Sequence, residues 1–429
     1  MNRSIYSRVA IGIAASAATA ALVGLGPTLA AQGRGSAPTY QVNPLWPQPL
    51  PNHWVFGSIT GVAVDAQDHV WVTHRGADSL EGNEKGMMST PPSSSVCCVA
   101  APFVLEFDAN GKLVSSLFEY DKKPAGWPQS PGGIAIDGKG NIWITAAGLE
   151  PAPPPPPGGR GRGAAAAAAD GDGTPPPAAR GRGGAAAGPA APADAHVLKI
   201  SKTGQVLLTI GAPGKIENAE SQTALNRPSA VAVDDAANEV YVADRGNRRV
   251  VVFDANTGAY KRHWGAYGEK PGAAPGPYDP NAAPARQFRD LSCISIAKDG
   301  NVYVCDRTSN RIQVFSKDGK FQKEGIVNKN TTGTVVTGQF GVVSVVGSVW
   351  DVAFSNDAQQ RYLFVADGTD KQIIVLDRAT LNQVGTIGEG GRQPGRFLAV
   401  GSIAVDSRGN IITGEQHHGK RVQKFVPGR

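Results

Sequence analysis

A motif that occurs six times constrains this chain more than any other feature. The copies are GVAVDAQDHVWVTH from residue 61, GIAIDGKGNIWITA from 133, AVAVDDAANEVYVAD from 230, CISIAKDGNVYVCD from 293, DVAFSNDAQQRYLFVAD from 351 and SIAVDSRGNIITGE from 402. Each alternates apolar and small residues with period two, turns through Asp, Asn or Gly, and alternates again, the pattern of two half-buried strands in a hairpin. Most copies run on into a third strand, such as RVVVFD or RIQVF, and a fourth, such as YKRHWG or VLLTIG. Four short antiparallel strands repeated six times predict an all-β, six-bladed β-propeller. The last copy stops after its third strand, RVQKFV, and TYQVNPLW near the start of the chain is a strand without a hairpin partner. Supplying the missing strand from that segment closes the ring and removes the sheet edges an open array would expose. The propeller is expected over residues 39–429.

Two segments fall outside the repeats. Residues 1–31 begin with MNRSIYSR, continue through the small apolar run VAIGIAASAATAALVGLG, and end in an Ala-rich cleavage point at Ala30 or Ala31. This is the order of a secretory signal peptide and predicts a secreted or periplasmic protein. No later stretch reaches the length of apolar residues that spans a bilayer. Residues 149–195 interrupt the second repeat with Pro, Ala, Gly and Arg and with no apolar side chain larger than Ala after Leu149. Such a composition buries too little surface to offset its ordering entropy, so a disordered insert is expected there.

The formal charge of +6 does not indicate a nucleic-acid partner. Arg3 and Arg8 lie in the signal peptide and Arg160, Arg162, Arg180 and Arg182 in the insert; without these six the charges nearly balance. The four cysteines, Cys97, Cys98, Cys293 and Cys305, have no zinc-finger spacing and allow three disulfide pairings in an exported chain. A three-residue loop in AKDGN sets Ala297 against Asn301 and Cys293 against Cys305, whereas a two-residue loop would put the two sulfurs on opposite faces. The first register favours a Cys293–Cys305 bond and leaves Cys97 and Cys98 as a vicinal pair; two buried thiols are the alternative.

Loop lengths separate the two ends of the barrel. First-to-second and third-to-fourth strand turns are short, as in DGKGN and SKDGK. Residues 75–101, 149–195, 265–290, 328–347 and 388–399 are long and, by the antiparallel order of the strands, share the opposite face. Elaborated loops on a rigid scaffold are where binding concentrates. The second strands end on that face at His74, Ala146, Asp244, Asp306, Asp367 and Glu415, followed by Arg75, Ala147, Arg245, Arg307, Gly368 and Gln416. Carboxylates and arginines converging on a channel mouth suit a charged ligand, so His74, Arg75, Arg245, Asp306, Arg307, Asp367 and Glu415 are the candidate binding residues. The opposing expectation for Asp244, Asp306 and Asp367 is structural: an Asp followed by Asn and Arg can fix the blade turn through hydrogen bonds. His74, Glu415, His417 and His418 are candidate metal ligands by residue type, though EQHHG has no zinc spacing. Trp46, Trp54, Trp127, Trp264 and Tyr267 either stack on a ligand or pack between blades.

ADRGNRRVVVFD and CDRTSNRIQVF resemble NHL repeats, and the resemblance runs through nearly all of the chain outside the insert. Within that superfamily GSITGVAVDAQDHVWVTHRG is similar to the first-blade segment of the peptidyl-α-hydroxyglycine α-amidating lyase domain. There the Arg of HRG, here Arg75, helps hold substrate at a zinc site. The resemblance implies zinc histidines where this chain has Gly132, Ser292 and Gly401, a catalytic Tyr at Gly246 and a calcium-binding Asp at Ser402. Two glycines and a serine offer zinc no strong ligand. The expected function is therefore a monomeric, non-catalytic binding or scaffold propeller for a peptide, glycan or protein, with no cofactor and no nucleic acid. The alternative is a divergent lyase-like enzyme, with Arg75 as its surviving catalytic residue and zinc or calcium at an altered site.

Overall fold

The computed structural model describes residues 37–148, 193–338 and 341–428, so the expected signal peptide and nearly all of the expected disordered insert lie outside the described residues. Within them, six four-stranded antiparallel sheets form the six blades. Blade 1 runs Ile59–Val64, Val70–His74, Val104–Phe107 and Leu113–Leu117. Blade 2 runs Pro131–Ile136, Ile142–Ala146, His196–Ile200 and Val206–Gly211. Blade 3 runs Ala230–Asp234, Glu239–Asp244, Arg249–Asp254 and Tyr260–Trp264. Blade 4 runs Leu291–Ile296, Val302–Asp306, Arg311–Phe315 and Phe321–Ile326. Blade 5 runs Asp351–Phe354, Tyr362–Asp367, Gln372–Asp377 and Gln383–Ile387. Blade 6 runs Val400–Val405, Ile411–Glu415 and Val422–Pro427, and its fourth strand is Tyr40–Asn43, paired antiparallel with Val422–Pro427 so that Tyr40 faces Pro427 and Asn43 faces Lys424. The ring is closed by the N-terminal strand.

Period-two alternation becomes two apolar faces per blade, each packed on a neighbouring blade. Cys293, Cys305 and Val314 of blade 4 pack with Val352, Val365 and Ile374 of blade 5; Ile59 and Val72 of blade 1 pack with Ile412 and Val422 of blade 6. Burying each such side chain contributes about 1.5–3 kcal/mol, so the interfaces between blades, rather than a central core, hold the ring. The second strands are buried along almost their whole length and the fourth are half-exposed. In blade 4, Gly300 takes the left-handed conformation (φ +83°) that the KDG loop requires, Ala297 N–H donates to Asn301 O, and Cys293 pairs with Cys305. The two sulfurs are bonded, with Cα atoms 4.9 Å apart, and Cys97 is bonded to Cys98.

Two small sheets were not expected. Trp54–Val55 pairs in parallel with Val99–Ala100, fastening the long loop of blade 1 to the segment before it, and Thr334–Gly338 forms a hairpin with Gly341–Val345 between blades 4 and 5. Among the described residues no helix is long and apolar enough to cross a membrane.

Candidate functional site

The six first strands surround a central cavity of about 460 Å³. In blades 1, 2, 4 and 6 the pairing between first and second strands skips at a bulge, at Thr60, Gly132–Gly133, Ser292 and Gly401. These residues line the cavity, as expected where bulges re-aim an inner strand.

At the loop end of the cavity, second-strand ends and the residues after them take different directions. Arg75, Ala147, Arg245, Arg307 and Gln416 line the cavity. The residues before them do not; apart from Ala146 they turn into the blades and accept backbone N–H groups of the flanking loops. Asp244 accepts from Asn226 N–H at 2.7 Å and from Arg249 Nε at 2.8 Å. Asp306 accepts from Arg289 and Asp290 N–H, both at 2.9 Å, and from Arg311 Nε at 2.9 Å. Glu415 accepts from Leu398 N–H at 2.6 Å and pairs with Arg421. Asp367 accepts from Thr369 and Asp370 N–H and from Asn328 Nδ2. In blade 1 His74 fills the same place. Its Nδ1 accepts from Gly57 and Gly76 N–H, both at 3.0 Å, while its Nε2 donates to Pro102 O at 2.8 Å. That arrangement needs the neutral imidazole, and burial pushes its pKa down to about 4. In blade 2 the second strand ends in Ala146, and the carboxylate comes from Asp194, which accepts from Gln129, Ser130 and Gly148 N–H.

For Asp244, Asp306 and Asp367 the geometry matches the turn-fixing expectation, and His74 and Glu415, offered as ligands, are fully buried in the same kind of turn. The four candidate metal ligands are each engaged elsewhere. His74 and Glu415 are committed as described, His417 packs edge-on against Trp350, and His418 bonds Glu81 of the blade 1 loop at 2.7 Å. Among the described residues the metal-type group that does come together is Asp65, His69 and Glu106, at the opposite, short-turn end of blade 1. Its donors are already engaged: Asp65 by Trp71 Nε1 and two backbone N–H groups, Glu106 by His69 and Ser115. Of the five aromatic residues, Trp46 and Trp264 are buried packing side chains, and Tyr267 supports Arg311 and Glu324.

Arg75, Arg245 and Arg307 come from blades 1, 3 and 4. Asp290, which the sequence reading missed, bridges two of them: Arg245 Nε lies 2.6 Å from one carboxylate oxygen and Arg307 Nη2 2.6 Å from the other. The Arg307 guanidinium also lies over the Trp350 ring at 4.7 Å. Three guanidinium groups and the Asp290 carboxylate thus line this end of the cavity. Asp290 could have been found as the acidic residue directly before the fourth repeat, in FRDLSCISI.

The positions aligned with zinc histidines do not fit a metal. A Cβ at Gly132 would stand 2.4 Å from Thr145 Oγ1 and 2.7 Å from Ala147 Cβ, and one at Gly401 would stand 2.6 Å from the Gln416 side chain. Ser292 Oγ donates to Val349 O at 2.7 Å.

The NHL repeat matches residues 225–253 and 288–315, the first three strands of blades 3 and 4 with the loops that enter them. The six sheets and the closed ring make the chain a six-bladed β-propeller, two of whose blades, 3 and 4, match the NHL repeat. Solved structures similar to it include a streptogramin B lyase (10% identity, 91% of this chain and 98% of that one, TM-score 0.45). Virginiamycin B lyase from Staphylococcus aureus is also similar (10% identity, 90% and 99%, TM-score 0.45). So is a protein of unknown function from Bacteroides thetaiotaomicron (13% identity, 87% and 70%, TM-score 0.49). None of these likenesses carries an argument about ligand or reaction.

Proposed function

We propose that this is an exported binding propeller that takes an anionic group at the loop end of its central channel, through Arg75, Arg245 and Arg307. One observation carries the reading: three arginines from three blades line one cavity that holds a single bridging carboxylate between two of them. Guanidinium groups suit carboxylate and phosphate because their forked donors match both oxyanions. The buried acids nearby do not cancel this field. Asp244, Asp306 and Glu415 are paired with arginines of their own. Burial, reinforced by Asp370, pushes Asp367 up to about 8, so at neutral pH it is largely uncharged.

Isothermal titration with inorganic phosphate at low salt tests the reading. The wild-type protein should bind it with a Kd that weakens as salt rises, and Arg75→Gln and Arg307→Gln should each weaken it by about tenfold. Equal binding by wild type and both variants would remove the arginines from the function. Zinc-dependent cleavage of a peptidyl-α-hydroxyglycine by the purified protein would replace this reading with the enzymatic one.

A further inference from the structure

The cavity contains one more charged side chain besides the three arginines and Asp290: Asp351, at the start of the first strand of blade 5. Asp351 lies opposite Ala366, one residue short of the strand end at Asp367, whereas Arg307 follows the strand end at Asp306. At about 3.3 Å per strand residue, the Asp351 backbone is roughly 7 Å further down the channel than that of Arg307. Trp350 links the two levels, since it precedes Asp351 in the chain and carries Arg307 over its ring.

The carboxyl accepts one backbone N–H on each oxygen, from Val352 at 2.8 Å and from Ile403 of blade 6 at 3.0 Å. A carboxylate has about four acceptor positions. Asp290 and the paired acids of the blade turns have an arginine; among the described residues no ion pair reaches Asp351. The neighbouring first strands of blades 4 and 6 present Ser292, Ser295, Gly401 and Ile403 and no titratable side chain. The other charged residues of the cavity lining are Arg75, Arg245, Asp290 and Arg307. Burial pushes its pKa up to about 7, with only the two N–H groups opposing. The fold does not require an acid at this place. The corresponding residues in blades 1, 2, 3, 4 and 6 are Gly61, Gly133, Ala230, Cys293 and Ser402.

We propose that Asp351 selects a small zwitterion, pairing with a protonated amine while the arginines hold the ligand's anionic group. This rests on the anion-binding reading above. An ammonium group would supply the missing cation and favour the ionised carboxyl, so binding should release a proton near and below pH 7. A hydroxyl group would need no ionisation and would give no such pH dependence.

Matched ligand pairs test this. Phosphoethanolamine differs from 2-hydroxyethyl phosphate, and 4-aminobutyrate from 4-hydroxybutyrate, only by amine against hydroxyl. At pH 8 the amine member of at least one pair should bind about tenfold more tightly. For 4-aminobutyrate, whose two charges persist from pH 6 to 8, that preference should shrink several-fold at pH 6. Asp351→Asn, which keeps an oxygen for Ile403 N–H, should abolish the preference without weakening the binding of inorganic phosphate. Phosphate binding with no amine preference in either pair, or an amine preference that survives in Asp351→Asn, would overturn the proposal alone. Failure of phosphate and of all four probes to bind would overturn the anion reading first, and this proposal with it.

Discussion

Blades 4 and 5 are neighbours built on the same repeat, and they treat the same buried acid in opposite ways. In blade 4, Asp306 faces Arg311 across the strand pair; the arginine reaches it at 2.9 Å and also bonds Ala285 O, Gln287 O and Glu324. In blade 5 the register is the same, but Asp367 faces Gln372. Its nearest charged neighbour in the turn is another acid, Asp370, which shares Asn328 Nδ2 with it. Blade 5 also replaces the channel arginine by Gly368 and places Asp351 where the other blades have a small residue. The fold tolerates loss of the arginine as long as backbone N–H groups still reach the acid, and the cost appears as a carboxyl held protonated. Blade 5, which lacks both arginines of blade 4, is also the one that puts an acid with no ion pair among the described residues into the channel.

Breaking the blade 4 pair should have the largest effect. Arg311→Leu leaves Asp306 buried without its cation and should cost about 3–5 kcal/mol in urea unfolding. Adding Asp306→Asn to Arg311→Leu should recover part of that loss, and a loss below about 1 kcal/mol would make the pair ornamental.

The disulfide comes next. Replacing Cys293 and Cys305 by Ala and Val should cost about 2–3 kcal/mol, the scale for a short closed loop. Peptide mapping without reduction should show the Cys293–Cys305 link, and a link from either to Cys97 or Cys98 would contradict the blade 4 register.

Asp367→Asn should act in the other direction. The folded pKa of about 8 lies above the unfolded value near 3.8, so this acid's contribution is fully present below pH 4 and is lost as pH rises towards 8. The variant should match wild type at pH 4 and exceed its Tm by about 3 °C at pH 8.5. A gain at low pH only would reverse the sign assigned to blade 5. Gln372→Arg, which restores the pairing of blade 4, should raise the Tm at pH 8.5 by a smaller amount, about 1–2 °C.

The fold was legible because its information is periodic. Six copies of one pattern fix the blades, and a missing last strand together with TYQVNPLW fixes the closure. The site was legible only in part because neighbouring residues at a strand end point in opposite directions. His74 and Arg75 are adjacent in sequence, but one is locked into a turn and the other lines the channel. Glu415 and His74 departed from the repeat and looked functional, yet each is a local substitute for the turn aspartate. Asp194 and Asp290 lie outside the repeated segments, so no comparison of repeats could align them. Asp351 lies within them, and its departure from a column of Gly, Ala, Cys and Ser was the available signal.

A crystal of the protein soaked in selenate tests the central claim most directly, because the anion's anomalous scattering reports where it binds. The account places selenate at the loop end of the channel, within hydrogen-bond reach of Arg75, Arg245 or Arg307, and expects that peak to vanish in Arg307→Gln. Selenate bound only on the outer surface, with the channel mouth empty in wild type, would contradict it.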